Sequence, residues 1–423
     1  MNGKTKRILF AIESLDIGGM QKNLVMLAEA MQQRGHLTHV VALVSGGAYE
    51  QVLQQAGIHF SLSPTETELE KLFLQMRFDL LYMARSGHKN PRFTPLLKQA
   101  SKHHVSVFEH NIFANVDKSD DASMIDLHLF LSRSQIGKYA AKYRLSNLPW
   151  ERCQHKIAIL PNIVTQSAFL LTKQESRMLL EIPENAFVVG SVCRPDMEKF
   201  GRKAFEAWKL AKKTFPDLYP IVRTLPQELE QEFRNVFGDN GKILEKTLDE
   251  KQIAATYQAM DLFFNFSTIG ESFGIAILEA MSFGIPVVVD KKYRFMKHDN
   301  AQLEHIDASG SGFIVNDIKE VPPLIRIFRE TDQATRETYV NNARNYAKDF
   351  TPEKVAIAFE ELIEQHQQHQ VPLCEQVSAL DHLYALLFSS RREFLGVLVK
   401  NILGSSWPLK ALKCFKEAFF HRK

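Results

Sequence analysis

Glu271 and Glu279 stand eight residues apart in the segment ESFGIAILEAMSFGIP, which is otherwise apolar enough to be buried. The segment follows one strand-like run, DLFFNFS, and precedes another, IPVVVD, so the pattern predicts a helix over about 273–283. Eight residues of helix span about 12 Å, whereas the paired carboxylates that hydrolyse glycosides lie about 5–9.5 Å apart. The spacing therefore disfavours a glycosidase pair and favours two carboxylates that bind different hydroxyl groups of one extended ligand.

The start of this predicted helix is suited to an anion. Ligands of open parallel sheets bind outside the carboxyl ends of the strands, and the first N–H groups of a helix have no partner within it. Four residues are expected to present such groups to a phosphate, helped by the helix dipole: Ser272, Phe273, Gly274 and Ile275. Gly274 has no β-carbon and would allow close approach of the phosphate. A phosphate at the start of the helix with hydroxyl groups beyond it describes a nucleotide sugar.

The glutamate pair and its surroundings, ESFGIAILEAMSFGIPVV, resemble the signature of the retaining GT-B glycosyltransferases of glycosyltransferase family 4. The resemblance implies that Glu271 contacts hydroxyl groups of the donor sugar and that Glu279 contacts the ribose of the nucleotide. It also implies an arginine and a lysine on the diphosphate, and GSVCRPDMEKFG supplies Arg194 and Lys199 at the expected spacing. Fixed cations there would stabilise the charge that grows on the leaving nucleoside diphosphate. The alternative is that both are surface cations.

Other candidates follow from the same resemblance. The loop DIGGMQKN resembles the family's glycine-rich loop near the donor phosphate and the acceptor, although Gly18 and Gly19 are equally a turn signal. His110, at the end of HVSVFEH, falls where the family often has a cleft histidine near the reacting sugar; a structural role is the alternative. His88 is a second histidine candidate, and Lys203 is the alternative to Lys199.

The sequence departs from the family pattern at three places. Ile163 follows Asn162 where the family commonly has glycine, and Cys193 replaces the glycine that usually precedes the arginine. The run YPIVRT also lacks the glycines that usually follow it. This last departure leaves the choice of nucleotide base open.

Two series of elements are predicted to position these residues. Apolar runs alternate with helical patterns in both halves of the chain: RILFAI, THVVALV, FDLLYMA, HVSVFEH and DLHLFLS, then FVVGSV, YPIV, KILEKT, DLFFNFS, IPVVVD and GFIV. Near-continuous apolar strands separated by helices indicate parallel sheets covered on both faces. The predicted fold class is α/β. With the resemblance it becomes a GT-B fold, two Rossmann-like domains with parallel sheets facing a cleft, plus a C-terminal helical extension.

We assign three parts to the chain. Residues 1–165 form an N-terminal Rossmann-like domain on the acceptor side, residues 166–373 a C-terminal Rossmann-like domain that binds the nucleotide sugar, and residues 374–423 a basic amphipathic helical tail. A length of 423 residues is too great for one ordinary core and agrees with two domains.

Composition indicates a cytoplasmic protein. The four cysteines are far apart and form no C-x-x-C pair, which argues against a zinc site or a disulfide framework and for a reducing compartment. Glu13 interrupts the first apolar run, so that run is interpreted as a strand and not as a secretory signal. A modest pI of about 8.5 and the lack of a basic–aromatic strand pattern argue against a nucleic-acid partner.

The charge is distributed unevenly. Residues 1–165 carry 19 Lys and Arg against 14 Asp and Glu, residues 166–373 carry 25 against 31, and residues 374–423 carry 8 against 4. This suggests that one side of the molecule meets an anionic surface, with chance variation as the alternative. The end of the tail, SSWPLKALKCFKEAFFHRK, is typical of a basic amphipathic helix at a membrane interface, or of a helix folded back on its own domain. Peripheral contact with the inner face of the cytoplasmic membrane is therefore expected.

Together these features predict a glycosyltransferase of the hexosyltransferase type. It would transfer a sugar from a nucleotide diphosphate-sugar to a hydroxyl of a glycan or lipid-linked acceptor in cell-envelope glycan or glycolipid synthesis, and the resemblance implies retention. No metal or cofactor is expected, because Arg194, Lys199 and the helix start would do the work of a metal. The acidic run DKSDDAS, with Asp117, Asp120 and Asp121, is interpreted as a solvated loop. The alternatives are a GT-B nucleotide-sugar epimerase and a non-catalytic nucleotide-sugar-binding module.

Overall fold

The computed structural model describes residues 5–146, 148, 153–165, 167–247, 249–292 and 299–369. Within these ranges strands and helices alternate along the chain and build two separate parallel sheets. The predicted α/β class is confirmed. The predicted tail, residues 374–423, lies outside the described residues. Among the helices that the structure describes, none combines the length and apolar character needed to cross a bilayer.

The first sheet has the strand order β3-β2-β1-β4-β5-β6-β7, and every neighbouring pair is parallel. Its strands are β1 (Arg7–Ser14), β2 (Leu37–Ser45), β3 (His59–Leu62), β4 (Leu80–Arg85), β5 (Ser106–Asn111), β6 (Leu127–Phe130) and β7 (Ile157–Ile159). The helices are α1 (Gly19–Gln33), α2 (Tyr49–Gln55), α3 (Glu66–Met76), α4 (Thr94–Lys102) and α5 (Arg133–Leu145). The central strands are buried on both faces, which explains their near-continuous apolar sequence.

The second sheet has the order β10-β9-β8-β11-β12-β13, again with parallel neighbours. Its strands are β8 (Phe187–Val192), β9 (Leu218–Arg223), β10 (Lys242–Leu244), β11 (Leu262–Asn265), β12 (Val287–Asp290) and β13 (Gly312–Val315). The helices are α6 (Lys173–Leu179), α7 (Arg202–Thr214), α8 (Gln227–Phe237), α9 (Glu250–Gln258), α10 (Ile275–Ser282), α11 (Ala301–Ser309), α12 (Val321–Glu330), α13 (Gln333–Ala347) and α14 (Pro352–Gln367).

The strand order reverses between β8 and β11 in the second sheet, and between β1 and β4 in the first. Such a reversal opens a crevice at the carboxyl ends of the two strands, where open α/β sheets bind ligands. The loop after β8 carries the predicted arginine and lysine, and the loop after β11 carries Glu271. The topology therefore brings the two predicted motifs to one place.

The carboxyl ends of the two sheets face each other. The start of α5, which follows β6, meets the start of α11, which follows β12. The Glu304 carboxylate accepts hydrogen bonds from the backbone N–H groups of Arg133 and Ser134, at 3.0 and 2.6 Å. The backbone N–H of Asn300 donates to the Ser134 hydroxyl at 3.2 Å. These contacts fix one side of the crevice between the domains.

Helix α14 follows the second domain in sequence but packs on the first. Phe359 and Ile363 are buried in the same core as β1 and α1. Glu360 accepts two hydrogen bonds from the Arg34 guanidinium, at 2.7 and 2.6 Å, and one contact from the His36 ring at 2.8 Å. The range assigned to the second domain thus ends with a helix whose packing belongs to the first sheet.

Candidate active site

The segment between β11 and α10 adopts a conformation that depends on two glycines. Gly270 has φ +74, and a β-carbon there would lie 1.8 Å from the carbonyl oxygen of Asp299. Gly274 has φ +93 and is the residue directly before α10. Residues with side chains rarely adopt this left-handed conformation. The glycines therefore direct the chain from β11 into the helix, which is confirmed but begins about two residues later than predicted.

The start of α10 presents free backbone donors. Among the residues that the structure describes, none accepts a hydrogen bond from the N–H groups of Ser272, Phe273, Gly274 or Ile275. The Phe273 side chain is buried, and its carbonyl oxygen contacts the His305 ring at 2.6 Å. Only the backbone N–H of Phe273 thus remains available to a ligand. These amides have the arrangement in which helix starts bind phosphate.

Glu271 lies directly before this group of amides and is held from two sides. The Lys199 ammonium donates to its Oε2 at 2.7 Å, and the side-chain amide of Asn265, the last residue of β11, donates to Oε1 at 3.2 Å. The residue is only 8% exposed. The Glu271 backbone is also fixed, because its N–H donates to the Gln302 side chain at 3.1 Å. The structure therefore brings Lys199 and Glu271 together. A site that binds both a charged group and hydroxyl groups requires such a pair.

Arg194 is placed differently from Lys199. Its side chain is 69% exposed, and its ion pair is with Asp196, at 3.4 Å. The structure shows no contact between Arg194 and Glu271 or the start of α10. The role of Arg194 on the diphosphate stays a prediction. Lys203, the alternative to Lys199, binds Asp290 and not Glu271.

Glu279 lies half-buried on α10 and is oriented by a tyrosine. The hydroxyl of Tyr257, on α9, donates to Glu279 Oε2 at 2.6 Å. Burial first, and then the neighbouring Glu279 charge, raise the pKa of Tyr257 well above its usual value. The phenol therefore keeps its proton and acts as the donor, which fixes the direction of the Glu279 carboxylate.

In the first domain the structure places Gly18 and Gly19 at the start of α1 and His110 in the core. Gly18 directly precedes α1 in an extended conformation, and a β-carbon on Gly19 would meet nothing within 4 Å. His110 ends in the core: it is fully buried, its Nδ1 lies 2.5 Å from the Tyr82 hydroxyl, and burial lowers its pKa to about 4. A ring in this position is not exposed to the crevice, so its catalytic role stays a prediction that this geometry does not support. His88 is exposed after β4.

The acidic run after β5 is not the solvated loop that the sequence suggests. Asp117 and Asp121 are each only 8% exposed, whereas Lys118, Asp120 and Ser123 face solvent. Asp117 pairs with the buried Arg85 guanidinium at 3.2 Å, and Asp121 accepts a hydrogen bond from the Thr94 hydroxyl at 2.6 Å. The expectation is wrong because a buried arginine needs counter-charges. Within the described ranges, no three His, Cys, Asp or Glu side chains are grouped so that they could hold a metal ion.

Several residues of the site were missed in the sequence. Asn265 and Asp290 end β11 and β12, and a polar residue that closes an apolar strand is the signal that could have found them. No local signal marks Tyr257, which reaches Glu279 from a different helix. Asp299 accepts a hydrogen bond from the Ser272 hydroxyl at 2.6 Å, and no motif includes it.

Comparison with solved structures identifies the fold. The structure superimposes on a glycosyltransferase from Rickettsia africae with a TM-score of 0.69 at 13% identity, over 86% of this chain and 99% of that one. Anabaena Alr3699/HepE in complex with UDP and glucose gives 0.64 at 19%, over 85% and 99%. WaaG, described as a glycosyltransferase involved in lipopolysaccharide biosynthesis, gives 0.56 at 16%, over 84% and 99%. The fold is therefore GT-B.

A family model matches the second domain. Residues 172–346 match the model of the family described as glycosyl transferases group 1. The matched range contains the Lys199–Glu271 pair and Glu279. No curated protein matches the sequence.

Proposed function

We propose that the protein is a glycosyltransferase that moves a hexose from a nucleoside diphosphate-sugar to a hydroxyl group of an acceptor. One observation carries this proposal. The Lys199 ammonium, the Glu271 carboxylate and the free amides at the start of α10 converge at the carboxyl end of the second sheet, where its strand order reverses. Cation and amides suit a diphosphate, and the carboxylate suits sugar hydroxyls.

In this proposal each group has one task. An ammonium has three N–H donors, so Lys199 can keep its hydrogen bond to Glu271 and still donate to diphosphate oxygens. The α10 amides would take the other oxygens and would stabilise the charge on the leaving nucleoside diphosphate. Glu271 would bind hydroxyls of the transferred sugar, and Glu279, oriented by Tyr257, would bind the ribose.

The donor, the acceptor, the stereochemistry and the membrane contact in this proposal are each supported by a different observation. HepE was crystallised with UDP and glucose, which favours a uracil nucleotide and a hexose as the first donor to test. WaaG acts in lipopolysaccharide biosynthesis, which agrees with an acceptor of the cell envelope. Retention is implied by the family resemblance. Peripheral membrane contact is supported by the basic charge of the first domain and of residues 374–423.

A panel of nucleotide sugars, read by thermal shift, tests the donor site. A donor that binds the folded state raises the Tm by mass action. We expect Lys199→Met to weaken donor binding at least tenfold, about 1.4 kcal/mol. Glu271→Gln should reduce transfer at least tenfold with less effect on binding of the free nucleotide. Glu198→Gln, an exposed neighbour, is the matched control. Near-normal transfer in both Lys199→Met and Glu271→Gln would remove the assignment.

The two alternative functions, an epimerase and a non-catalytic binding module, predict different experimental results. An epimerase makes a new sugar nucleotide without any acceptor, and a binding module shows donor binding in calorimetry with no turnover across a broad acceptor panel. For a transferase, the proton NMR coupling of the anomeric hydrogen in the product, compared with the donor, decides between retention and inversion.

A further inference from the structure

A second group of charges lies beside the Lys199–Glu271 pair. Asp290 ends β12 and is fully buried. Its Oδ2 accepts hydrogen bonds from the ammonium groups of Lys203 and Lys292, at 2.7 and 2.6 Å. Lys203 belongs to the first turn of α7, and Lys292 lies in the segment after β12. Because both ammonium groups bind the same oxygen, they are close enough together for one small anion to contact both.

This group carries an excess of positive charge. Two ammonium groups share one carboxylate, and among the described residues no donor reaches the buried Oδ1 of Asp290. Burial lowers the pKa of Lys292, and the Asp290 charge opposes that effect. The Lys203 side chain is 39% exposed, so the group opens to solvent on that side. One further negative charge would balance the two ammonium groups, and a buried cation that lacks such compensation is costly.

The position of Lys203, Lys292 and Asp290 indicates which part of a ligand would contact this second group of charges. The register pairs Asn265 of β11 with Val289, the residue directly before Asp290, and Asn265 donates to Glu271. The second group therefore lies next to the carboxylate that would bind the sugar hydroxyls. The Arg194 side chain, in contrast, is 69% exposed.

We propose that Lys203 and Lys292 form an anion subsite for a carboxylate on the transferred sugar, so that the donor is a nucleoside diphosphate-uronic acid. The inference rests on the proposed function, because it assumes a donor sugar at Glu271. A carboxylate has the single charge that this group lacks, and the diphosphate already has Lys199 and the α10 amides. Asp290 is a positioning residue that keeps the two ammonium groups together.

Calorimetric titration with UDP, UDP-glucose and UDP-glucuronic acid tests the subsite; if the donor panel selects another base, the same three forms of that nucleotide are used. The wild type should bind the uronic acid about tenfold more tightly than the neutral hexose, since charge-assisted hydrogen bonds to a carboxylate are among the strong ones. Lys203→Gln and Lys292→Gln should each remove most of that preference and should leave UDP binding within about twofold of normal. Lys213→Gln, an exposed lysine on the same helix, is the matched control.

Three outcomes overturn the subsite. A wild type without preference for the uronic acid excludes it directly. If Lys203→Gln weakens the binding of all three ligands equally, this lysine binds the diphosphate and not a sugar carboxylate. Lys203 is more exposed than Lys292, so Lys203→Gln tests the subsite even if Lys292→Gln fails to fold. If none of the ligands binds the wild type, the proposed function fails, and the subsite with it. Normal UDP binding without a uronic-acid preference overturns the subsite alone.

Discussion

Tyr257 orients Glu279 through the hydrogen bond from its hydroxyl group to Oε2. We expect Tyr257→Phe to raise the donor KM and to weaken nucleoside diphosphate binding about tenfold, because a charge-assisted hydrogen bond is worth about 1.5–3 kcal/mol and its loss frees the carboxylate to rotate. The kcat should change little, since Tyr257 does not touch the reacting atoms. Steady-state kinetics measure the donor KM and the kcat, and calorimetry measures nucleoside diphosphate binding.

The control for this change is Tyr219→Phe, which alters a buried tyrosine of β9 that has no part in the Glu279 hydrogen bond. If Tyr257→Phe left the donor KM at the value of this control, the orienting role of Tyr257 would be excluded.

Thr224 shows how one residue accommodates the missing glycines after YPIVR. It has φ +66, a conformation that is rare for a β-branched residue. Its hydroxyl donates to the carbonyl oxygen of Cys193, and its N–H donates to the carbonyl of Leu244 at 2.9 Å. The loop is therefore fixed by hydrogen bonds across three strand ends. Beside it, the buried Arg223 guanidinium donates to the carbonyl of Glu245 at 2.6 Å.

At the scale of elements, the strand ends were the most predictable part of the site. Buried parallel strands need near-continuous apolar runs, and these runs mark β8, β11 and β12 in the sequence. The edge strand β3 and the three-residue β7 were not predicted, although the equally short edge strand β10 was, from the run KILEKT. Long buried strands could thus be predicted, whereas short strands gave a signal that did not separate them from other segments.

Side-chain partners at those strand ends could not be predicted, because they come from distant parts of the chain. Lys199 binds Glu271 from 72 residues away, and Lys203 binds Asp290 from 87. The same cause applies in the first domain. The His110 ring contacts the hydroxyl of Tyr82, 28 residues earlier, inside the core. The buried Asp117 pairs with Arg85, which ends a different strand.

Asp299 connects elements of the two domains. Its Oδ1 accepts a hydrogen bond from the largely buried Lys138 ammonium of α5 at 2.7 Å, and its Oδ2 binds the Ser272 hydroxyl directly before α10. We expect Asp299→Asn to lower the Tm by several degrees. Removing one partner of a buried pair leaves the other charge uncompensated, at a cost of about 3–5 kcal/mol. Scanning calorimetry measures the change.

The double variant Lys138→Met/Asp299→Asn is the control, because it removes the uncompensated ammonium as well. Its Tm should lie above that of Asp299→Asn, which is the coupling expected of residues in direct contact. Additive losses, or an unchanged Tm in the single variant, would show that the pair does not hold the domains together.

At the scale of the whole molecule, the part of the chain that the structure describes crosses between the domains twice. The first crossing follows β7, where the N–H of Val164 donates to the Phe350 carbonyl at 2.8 Å, and the second leads from Phe350 into α14. The two crossings are thus hydrogen-bonded to each other. Together with the Lys138–Asp299 pair, they connect the folding of the two sheets, so a change in either domain should be visible in the Tm of the whole protein.

Three buried histidines distributed over both domains make the protein sensitive to acid. Burial lowers the pKa of His39, His110 and His305 to about 4 each. Unfolding exposes the rings, whose pKa then returns to about 6.5, so between these values the unfolded state binds more protons than the folded state. Stability is therefore complete above about pH 6.5 and falls as the pH approaches 4, by at most about 1.4 kcal/mol per pH unit for each ring.

Calorimetric Tm values between about pH 7.5 and pH 4.5, measured for the wild type and for a variant that lacks one buried histidine, test this pH dependence of the stability. We expect the Tm of the wild type to fall across the interval and that of His39→Gln to fall less steeply, because a ring that binds a proton on unfolding is gone. His88→Gln removes an exposed ring and should keep the wild-type slope. A slope that is the same in all three proteins would show that the acid sensitivity does not come from His39.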